Sequence, residues 1–462
     1  MEGSTGLSLR RRTFMQGTAA ALLTAAGYQR VLGANERIGV GFIGYGLIGK
    51  RHVLDFKEQA DVEPIGVAEV HRGRLDEAKA LLGGSVQGHG DFRKLLDDRR
   101  VDAMVISTPD HWHALMTMLA CSAGKDVYVE KPLTLFVREG RWMVEVAQRQ
   151  RRIVQVGTQQ RSGGHYQTAR ELIRAGHIGK VFSVRMQAYR NIMPGYGRPA
   201  DQEPPRELNW DLWLGPAPKR PYNPNRALYH FRWFWDYSGG QMTNLGQHAL
   251  DIAYWYLDAR GPKSVASMGG RFCVQDNGET PDTQDVLFEH PGWTALWSHR
   301  EACKGPSPAT PLEFFGTHGS LAISRSGFTV TADRKLPPEN TVPQFGNPHP
   351  VGGPVAAKET GPPQFWTKPI VDHSGDGRAQ FKQHVRNFLD CIRTRKEPIS
   401  ELESGHRVAT ACHLANLSLR LGRRLRWDAD RETIPDDPEA VKLLVRPYRA
   451  PWDAELKALG VG

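Results

Sequence analysis

The chain is 462 residues long, with 40% hydrophobic and 24% charged residues, five cysteines and a formal net charge of +10. Two domains fit that length better than one, and the composition is ordinary for a folded globular chain. The cysteines are odd in number and lack a C-x-x-C pair, which argues against a disulfide framework or a zinc site; the basic residues are spread along the chain, a solvated surface rather than a nucleic-acid footprint.

In chain order, Arg10-Arg11-Arg12-Thr13-Phe14-Met15 precedes a short, weakly apolar run at 17–27 and small residues near Ala34. This pattern looks like a twin-arginine export signal over residues 1–34, predicting a periplasmic or secreted protein. The apolar run is too short to anchor the chain permanently in a bilayer. Residues 38–43 then read as a buried strand running into Gly44-Tyr45-Gly46-Leu47-Ile48-Gly49, a G-x-G-x-x-G turn that opens a helix. In such a turn the first glycine makes the bend, the second lets a pyrophosphate approach the backbone, and the third lets helix pack on strand. A second apolar strand at 62–68 ends in Glu69, where a ribose-binding acid belongs. Strands at 101–107, 126–130 and 153–157 alternate with helices at 73–82, 92–98, 114–123 and 135–149, the pattern of βαβ units and a parallel sheet. Gly44, Glu69, Thr108, Lys131 and Gln159 all fall at carboxyl ends of these strands, where such sheets bind ligands.

From about Gly163 the rhythm changes. A helix at 166–175 and a half-buried strand at 180–190 lead into a polar, Pro-rich, aromatic section at 194–235. A helical pattern at 239–257 is followed by strand-like pieces at 264–273, 286–290, 295–298, 312–316, 320–323 and 328–332. Residues 334–377 read as a Pro/Gly-rich surface excursion, 380–393 and 406–421 as amphipathic helices, and the remainder as a polar tail. The expected architecture is an α/β Rossmann dinucleotide-binding domain over 36–158, an α+β second domain with an open, largely antiparallel sheet over 159–430, and a C-terminal tail over 431–462.

The glycine turn, Thr108-Pro109-Asp110-His111-Trp112-His113, Glu130-Lys131-Pro132 and the run from Gly239 to Asp251 together resemble the Gfo/Idh/MocA oxidoreductase family, over about residues 37–430. The resemblance implies NAD as cofactor, with NADP open because Arg72 lies near Glu69, and a sugar, polyol or glycoside as substrate. It implies cofactor contacts from Gly44, Tyr45, Gly46, Leu47, Ile48, Gly49, Glu69, Ser107, Thr108, Pro109, His111, His113, Glu130, Lys131 and Gln159. Lys131 would lie between nicotinamide and substrate, before a cis proline bond, its ammonium stabilising charge that builds on oxygen during hydride removal. In the family an Asp and a His follow one another four apart on one helix; here they are Asn244 and His248. His248 can accept the hydroxyl proton, whereas Asn244 can hydrogen-bond but not relay one. Asp251 could orient the imidazole or be structural. Arg161, Arg190, His230, Trp235 and Asp236 are expected around the substrate, aromatic faces suiting sugar rings and polar groups suiting hydroxyls. No metal-ligand spacing is present. Export would favour a tightly held cofactor restored in each cycle. Plain hydride transfer, redox-neutral glycoside hydrolysis and a non-catalytic sugar-binding protein are the three functions weighed. A homo-oligomer is implied by analogy with the family.

Overall fold

The computed structural model describes residues 37–84, 86–305, 312–335 and 362–462. The export-signal reading of 1–34 therefore lies outside the described residues. The first sheet comprises β1 (Ile38–Ile43), β2 (Val62–Ala68), β3 (Gln87–His89), β4 (Ala103–Ile106), β5 (Asp126–Val129) and β6 (Val154–Val156). They lie in the order β3-β2-β1-β4-β5-β6, every neighbouring pair parallel. β1, β4 and β5 are buried at every position, as continuous apolar runs require when helices cover both faces. Alternate residues feed opposite cores: Val105 and Tyr128 join Phe56 of α1 (Leu47–Lys57), whereas Met104 and Val127 join Leu115 of α3 (Asp110–Ser122) and Met143 of α4 (Val137–Arg149). The α2 helix (Arg72–Leu82) links β2 to β3. The order reverses between β1 and β4, the position where a doubly wound sheet opens a crevice.

The second sheet has nine strands: β7 (Val181–Tyr189), β8 (Ser264–Gly270), β9 (Thr283–His290), β10 (Trp293–Arg300), β11 (Leu312–Gly316), β12 (Gly319–Ser324), β13 (Gly327–Ala332), β14 (Ile370–Asp372) and β15 (Leu425–Arg426). All pairs are antiparallel except β7 with β10. The sheet is thus largely antiparallel, as expected, with one parallel pair at its centre. The region read as an excursion contributes the edge strand β14. One face is covered by α5 (Gly164–Arg174), α6 (Gln247–Leu257) and α8 (Leu402–Leu421). The other leaves Phe182, Met268, Leu287 and Leu296 exposed. The α7 helix (Ala379–Thr394) instead packs Val385, Phe388 and Leu389 onto the first domain.

Two elements bind the domains together. The α8 helix places Leu402 and Ala409 in the first domain's core and Val408, Ala411 and Leu414 in the second's. The C-terminal stretch, expected to be a polar tail, carries apolar anchors. Ile434, Ala440 and Leu444 enter the second core, and Tyr448, Trp452, Leu456 and Leu459 enter the first. Trp452 lies against Trp112 and Phe92, with ring centroids 4.7 and 6.3 Å away. The spacing 452, 456, 459 is that of one helical face, so the signal was present in the sequence. Trp452→Ala should lower unfolding free energy by about 3–5 kcal/mol, read as a lower denaturation midpoint at unchanged slope.

Candidate functional site

The glycine turn has the geometry its spacing predicts. Gly44 has φ 87°, and a Cβ there would lie 2.7 Å from the Ser107 carbonyl oxygen. A Cβ on Gly49 would lie 2.2 Å from the Gly44 oxygen, so only glycine lets α1 sit this close. At Gly46 the nearest atom is an Arg74 guanidinium nitrogen at 3.9 Å, which leaves the backbone bare toward the groove. No side chain caps α1, so its first N–H groups stay free for an anion. The groove encloses about 440 Å³, floored by Gly44, Gly46, Leu47, Ile48, Glu69, Ser107, Thr108 and Pro109. The Tyr45 ring instead packs in the core and offers only backbone to the turn. Glu69 accepts hydrogen bonds from the Tyr45 N–H (2.7 Å) and the His71 N–H (2.9 Å), fixing its carboxylate at the groove wall. Each of its oxygens keeps a lone pair for a ribose hydroxyl. Ser107 Oγ and Thr108 Oγ1 are buried and unpartnered. Bare backbone, free helix N–H groups, an acid and orphaned hydroxyls are the donor set a dinucleotide requires.

The opposite wall comes from the second domain, within the Pro-rich aromatic section: Leu212, Trp213, Leu228, Tyr229, Phe231 and Arg232. This cover is stitched to the end of β2. The Arg72 N–H donates to the Glu207 carbonyl (2.8 Å) and the Asn209 N–H to the Val70 carbonyl (3.0 Å). Arg74, rather than Arg72, lines the groove. The His111 and Trp112 rings both donate to the Trp213 carbonyl at 3.0 Å. The C-terminal stretch holds the same segment from behind: the Arg449 N–H donates to the Pro216 carbonyl and its guanidinium to Gly215 and Asp211. Sequence reasoning missed this cover because the segment carries no helical or strand periodicity.

At the carboxyl end of β5, Glu130 and Lys131 precede a cis bond to Pro132. Glu130 takes hydrogen bonds from His52 Nε2 (2.7 Å), Gln159 Nε2 (2.7 Å) and the Lys131 N–H (3.0 Å). Burial alone would raise its carboxyl, but the His52 bond and charge and the charge of Lys131 outweigh it and hold it below the usual range. Lys131 Nζ crosses to the second domain and donates to both the backbone and the side-chain oxygen of Asn244, each at 3.1 Å. Burial is the main cause that brings the ammonium down to about 8; Arg232 and Arg325 add to it, and Glu130 and Asp110 oppose it. Asn244 sits in a π-helical turn, Met242–Gly246, that leads into α6, so the stretch is not the regular helix its pattern suggests. Its amide donates to Gln241 (3.2 Å), and Gln241 donates to Glu301 (2.7 Å), which Arg190 also grips. Gln241 and Glu301 are thus parts of the site the sequence did not reveal. His248 is buried, and its Nδ1 has no hydrogen-bond partner among the described residues. Burial, then the charges of Lys131 and Arg325, push it well below its ordinary value, so it stands neutral with a free lone pair.

Several expected contacts belong to the scaffold instead. Asp251 does not orient His248; Arg161 takes both of its oxygens, at 2.6 and 2.9 Å, in a fully buried pair. Arg190 is committed to Glu301, and Asp236 to Arg220 (2.8 Å) and Arg446 (3.6 Å). Trp235 carries Arg420 over its ring, 5.2 Å from the centroid, and His230 lies 3.8 Å from the Tyr196 ring. Gln159 props Glu130 rather than facing the groove. His113 bridges the Thr108 and Pro132 carbonyls, at 2.8 and 2.6 Å, tying the loops after β4 and β5. His111 gives its Nε2 to Trp213, while its buried Nδ1 has no partner among the described residues. Arg161, Gln159 and His113 thus hold scaffold groups in place. Among the described residues no group of three or more His, Cys, Asp or Glu could hold a metal ion.

Comparison with known proteins followed the same division. A model described as Gfo/Idh/MocA oxidoreductase family, NAD-binding Rossmann fold, matches residues 38–158. The family's C-terminal alpha/beta domain matches 169–268 and 369–454, and a further Gfo/Idh/MocA C-terminal domain matches 219–322. Inositol 2-dehydrogenase of Salmonella typhimurium is 27% identical over 162 residues, 34% of this chain and 48% of that protein. Myo-inositol 2-dehydrogenase of Thermotoga maritima is 29% identical over 147 residues, 32% and 44% of the two chains. The chain thus spans about half the length of the curated relatives it matches. The fold is similar to that of levoglucosan dehydrogenase solved with NADH and levoglucosan: TM-score 0.63, 18% identity, 84% of this chain and 99% of that one. A putative myo-inositol dehydrogenase from Sinorhizobium meliloti gives a TM-score of 0.57 at 19% identity, covering 84% and 99%.

The Lys131 environment makes a direct prediction. Acylation of its amine, followed by mass spectrometry across pH, should be half-maximal near pH 8, where the ammonium gives up its proton. In Asn244→Asp a carboxylate beside the ammonium favours the charged form, so that midpoint should move upward by about 1 unit or more.

Proposed function

The chain belongs to the Gfo/Idh/MocA oxidoreductase family, and on that premise we propose that it is an NAD-dependent oxidoreductase acting on a secondary hydroxyl of a sugar, polyol or glycoside. The observation that carries this reading is the meeting of Lys131, from the strand end beside the groove, with Asn244 from the other domain, and the nearby presence of His248, whose Nδ1 has no partner among the described residues. NAD, when bound, supplies the acceptor for the hydride. Gly44, Gly46 and Gly49 with the start of α1 would hold its phosphates, and Glu69 its adenosine ribose; a 2′-phosphate would meet that carboxylate, which favours NAD over NADP. The Lys131 ammonium would stand beside the substrate oxygen and stabilise the charge that builds there. His248 would take the hydroxyl proton; it is already unprotonated, so no proton must first leave it. Asn244 fixes the ammonium through its oxygen and is itself fixed by Gln241.

The cover also supports a tightly held cofactor. Release requires the 207–232 segment to part from β2, from the two rings on Trp213 and from Arg449. Such retention suits a protein exported through the twin-arginine signal in the first 34 residues to a compartment with no nicotinamide pool. No described helix is long and apolar enough to cross a membrane. A homo-oligomer would form through the open face of the second sheet, where Leu287 lies directly opposite Leu296 and both are exposed.

Mature protein recovered from the periplasm should carry bound nicotinamide and reduce it when given a panel of sugars and polyols. Lys131→Ala and His248→Ala should keep the nicotinamide but lose about 100-fold or more in kcat/KM. Aglycone released from aryl glycosides without net reduction would replace this reading with redox-neutral hydrolysis, and full turnover in Lys131→Ala would end it. By light scattering the protein should be a dimer or larger, and Leu287→Glu with Leu296→Glu should give monomers; a monomeric parent protein would refute the interface.

A further inference from the structure

Glu301 holds Arg190 in an unusual way. A carboxylate that only neutralises an arginine meets the guanidinium fork with both oxygens, as Asp251 does for Arg161, at 2.6 and 2.9 Å. Arg190 instead directs Nε (2.7 Å) and Nη2 to one oxygen, Oε1. Gln241 Nε2 donates to that same oxygen (2.7 Å). Oε2 is buried and has no partner among the described residues. An acceptor left buried and empty costs stability, so the ion pair alone does not explain how this carboxylate is turned. It is turned toward Gln241.

Both sides of that contact are firmly set, and both residues are almost entirely buried. The Glu301 N–H donates to the Asp282 carbonyl (2.9 Å), and its carbonyl accepts from the Ile192 N–H (2.8 Å). Just before Gln241, Gly240 has φ 66°, and a Cβ there would lie 2.7 Å from Thr280 Cβ. From Gln241 the bonds run on to Asn244 and Lys131, and their direction is forced. The carboxylate paired with Arg190 only accepts, an ammonium only donates, and an amide does both. Gln241 therefore gives its N–H to Glu301, which turns its oxygen to the Asn244 amide (3.2 Å). Asn244 in turn shows its oxygen to Lys131 (3.1 Å). An asparagine amide has nearly the same shape either way round, so packing does not choose its direction. The two ends of the chain do, and they agree. Lys131 Nζ thus spends two of its three N–H groups on Asn244, on the main-chain and the side-chain oxygen. Two fixed directions about a tetrahedral nitrogen fix the third.

We propose that Glu301 is a positioning residue: acting through Gln241 and Asn244, it holds the Lys131 amine so that its one unspent N–H points at the substrate oxygen. This rests on the oxidoreductase reading above. Glu301 handles neither hydride nor proton; it contributes an oxygen in a fixed place.

The test uses the NAD-loaded protein with myo-inositol, glucose and methyl glucoside as hydride donors. Gln241→Leu cuts the chain and leaves the Arg190–Glu301 pair whole. It should lower kcat by about 10-fold or more and leave KM within about 3-fold, because misaiming a group costs the transition state more than it costs binding. Arg190→Met combined with Glu301→Met removes the far end without stranding a charge, should do the same, and carries the test if Gln241→Leu does not fold. Glu301→Gln still offers Gln241 an oxygen and should recover most of that loss. Acylation of Lys131 gives a readout without substrate: a lost acceptor disfavours the ammonium, so the midpoint should move to lower pH in Gln241→Leu. Glu130, Asp110, Arg232, Arg325 and His248, the other charged and titratable groups acting on or facing the amine, are unchanged in every variant. Parent-like kcat in the chain-breaking variants, a loss confined to KM, or a Glu301→Gln protein as slow as the double variant would overturn the proposal while leaving hydride transfer standing. If no donor reduces NAD, the oxidoreductase reading fails instead, and the acylation midpoint decides whether the chain holds the amine: a fall in Gln241→Leu supports it, and no change refutes it.

Discussion

The site depends on one contact between domains, the pair of hydrogen bonds from the Lys131 ammonium to Asn244. Lys131 is fixed by the end of β5 and by Glu130 beneath it. Asn244 is fixed by the π-helical turn and by Gln241. Neither half could hold a substrate between them unless the domains kept a constant relation, and α8 supplies it by giving side chains to both cores. Interiors packed at crystal-like density do not slide freely, so a helix shared by two cores transmits position from one to the other. The alignment of amine and imidazole is therefore a property of packing more than of the site residues themselves.

The asparagine at 244 is intelligible in the same terms. It forms the first link of a chain in which each amide accepts on one side and donates on the other: ammonium to Asn244, Asn244 to Gln241, Gln241 to Glu301. The carboxylate that terminates the chain is Glu301, deep in the second domain and neutralised by Arg190. The negative charge of this chain is therefore three hydrogen bonds away from the ammonium. That distance leaves Lys131 less anchored in its charged form than a directly paired lysine would be.

Much of this was legible in the residues. The glycine turn, Glu69, the strand-end positions of Thr108 and Lys131, and the division into a parallel sheet and a second open sheet all follow from local spacing and periodicity. What the sequence hid are pairings between distant positions. Arg161 and Asp251, or Arg190 and Glu301, look like free polar groups suited to hydroxyls, because residue type is visible in a sequence and a partner some ninety or more positions away is not. His111 and His113 are of the same kind: Nε2 of the first and both ring nitrogens of the second lie at hydrogen-bond distance from backbone carbonyls. The π-helical turn hides inside an ordinary helical pattern. The cover hides because aromatic residues without a period signal packing but not its target.

The cover over the groove is bound from behind by Arg449, and the ring of Trp112 that holds Trp213 leans on Trp452. Those two residues come about four hundred positions after the glycine turn. The nucleotide-binding sheet emerges from the ribosome early, but its roof cannot be fastened until Arg449 and Trp452 have followed. Capture of the dinucleotide then waits on those two residues, and a polypeptide that stopped before Arg449 would have its crevice shaped but unlatched.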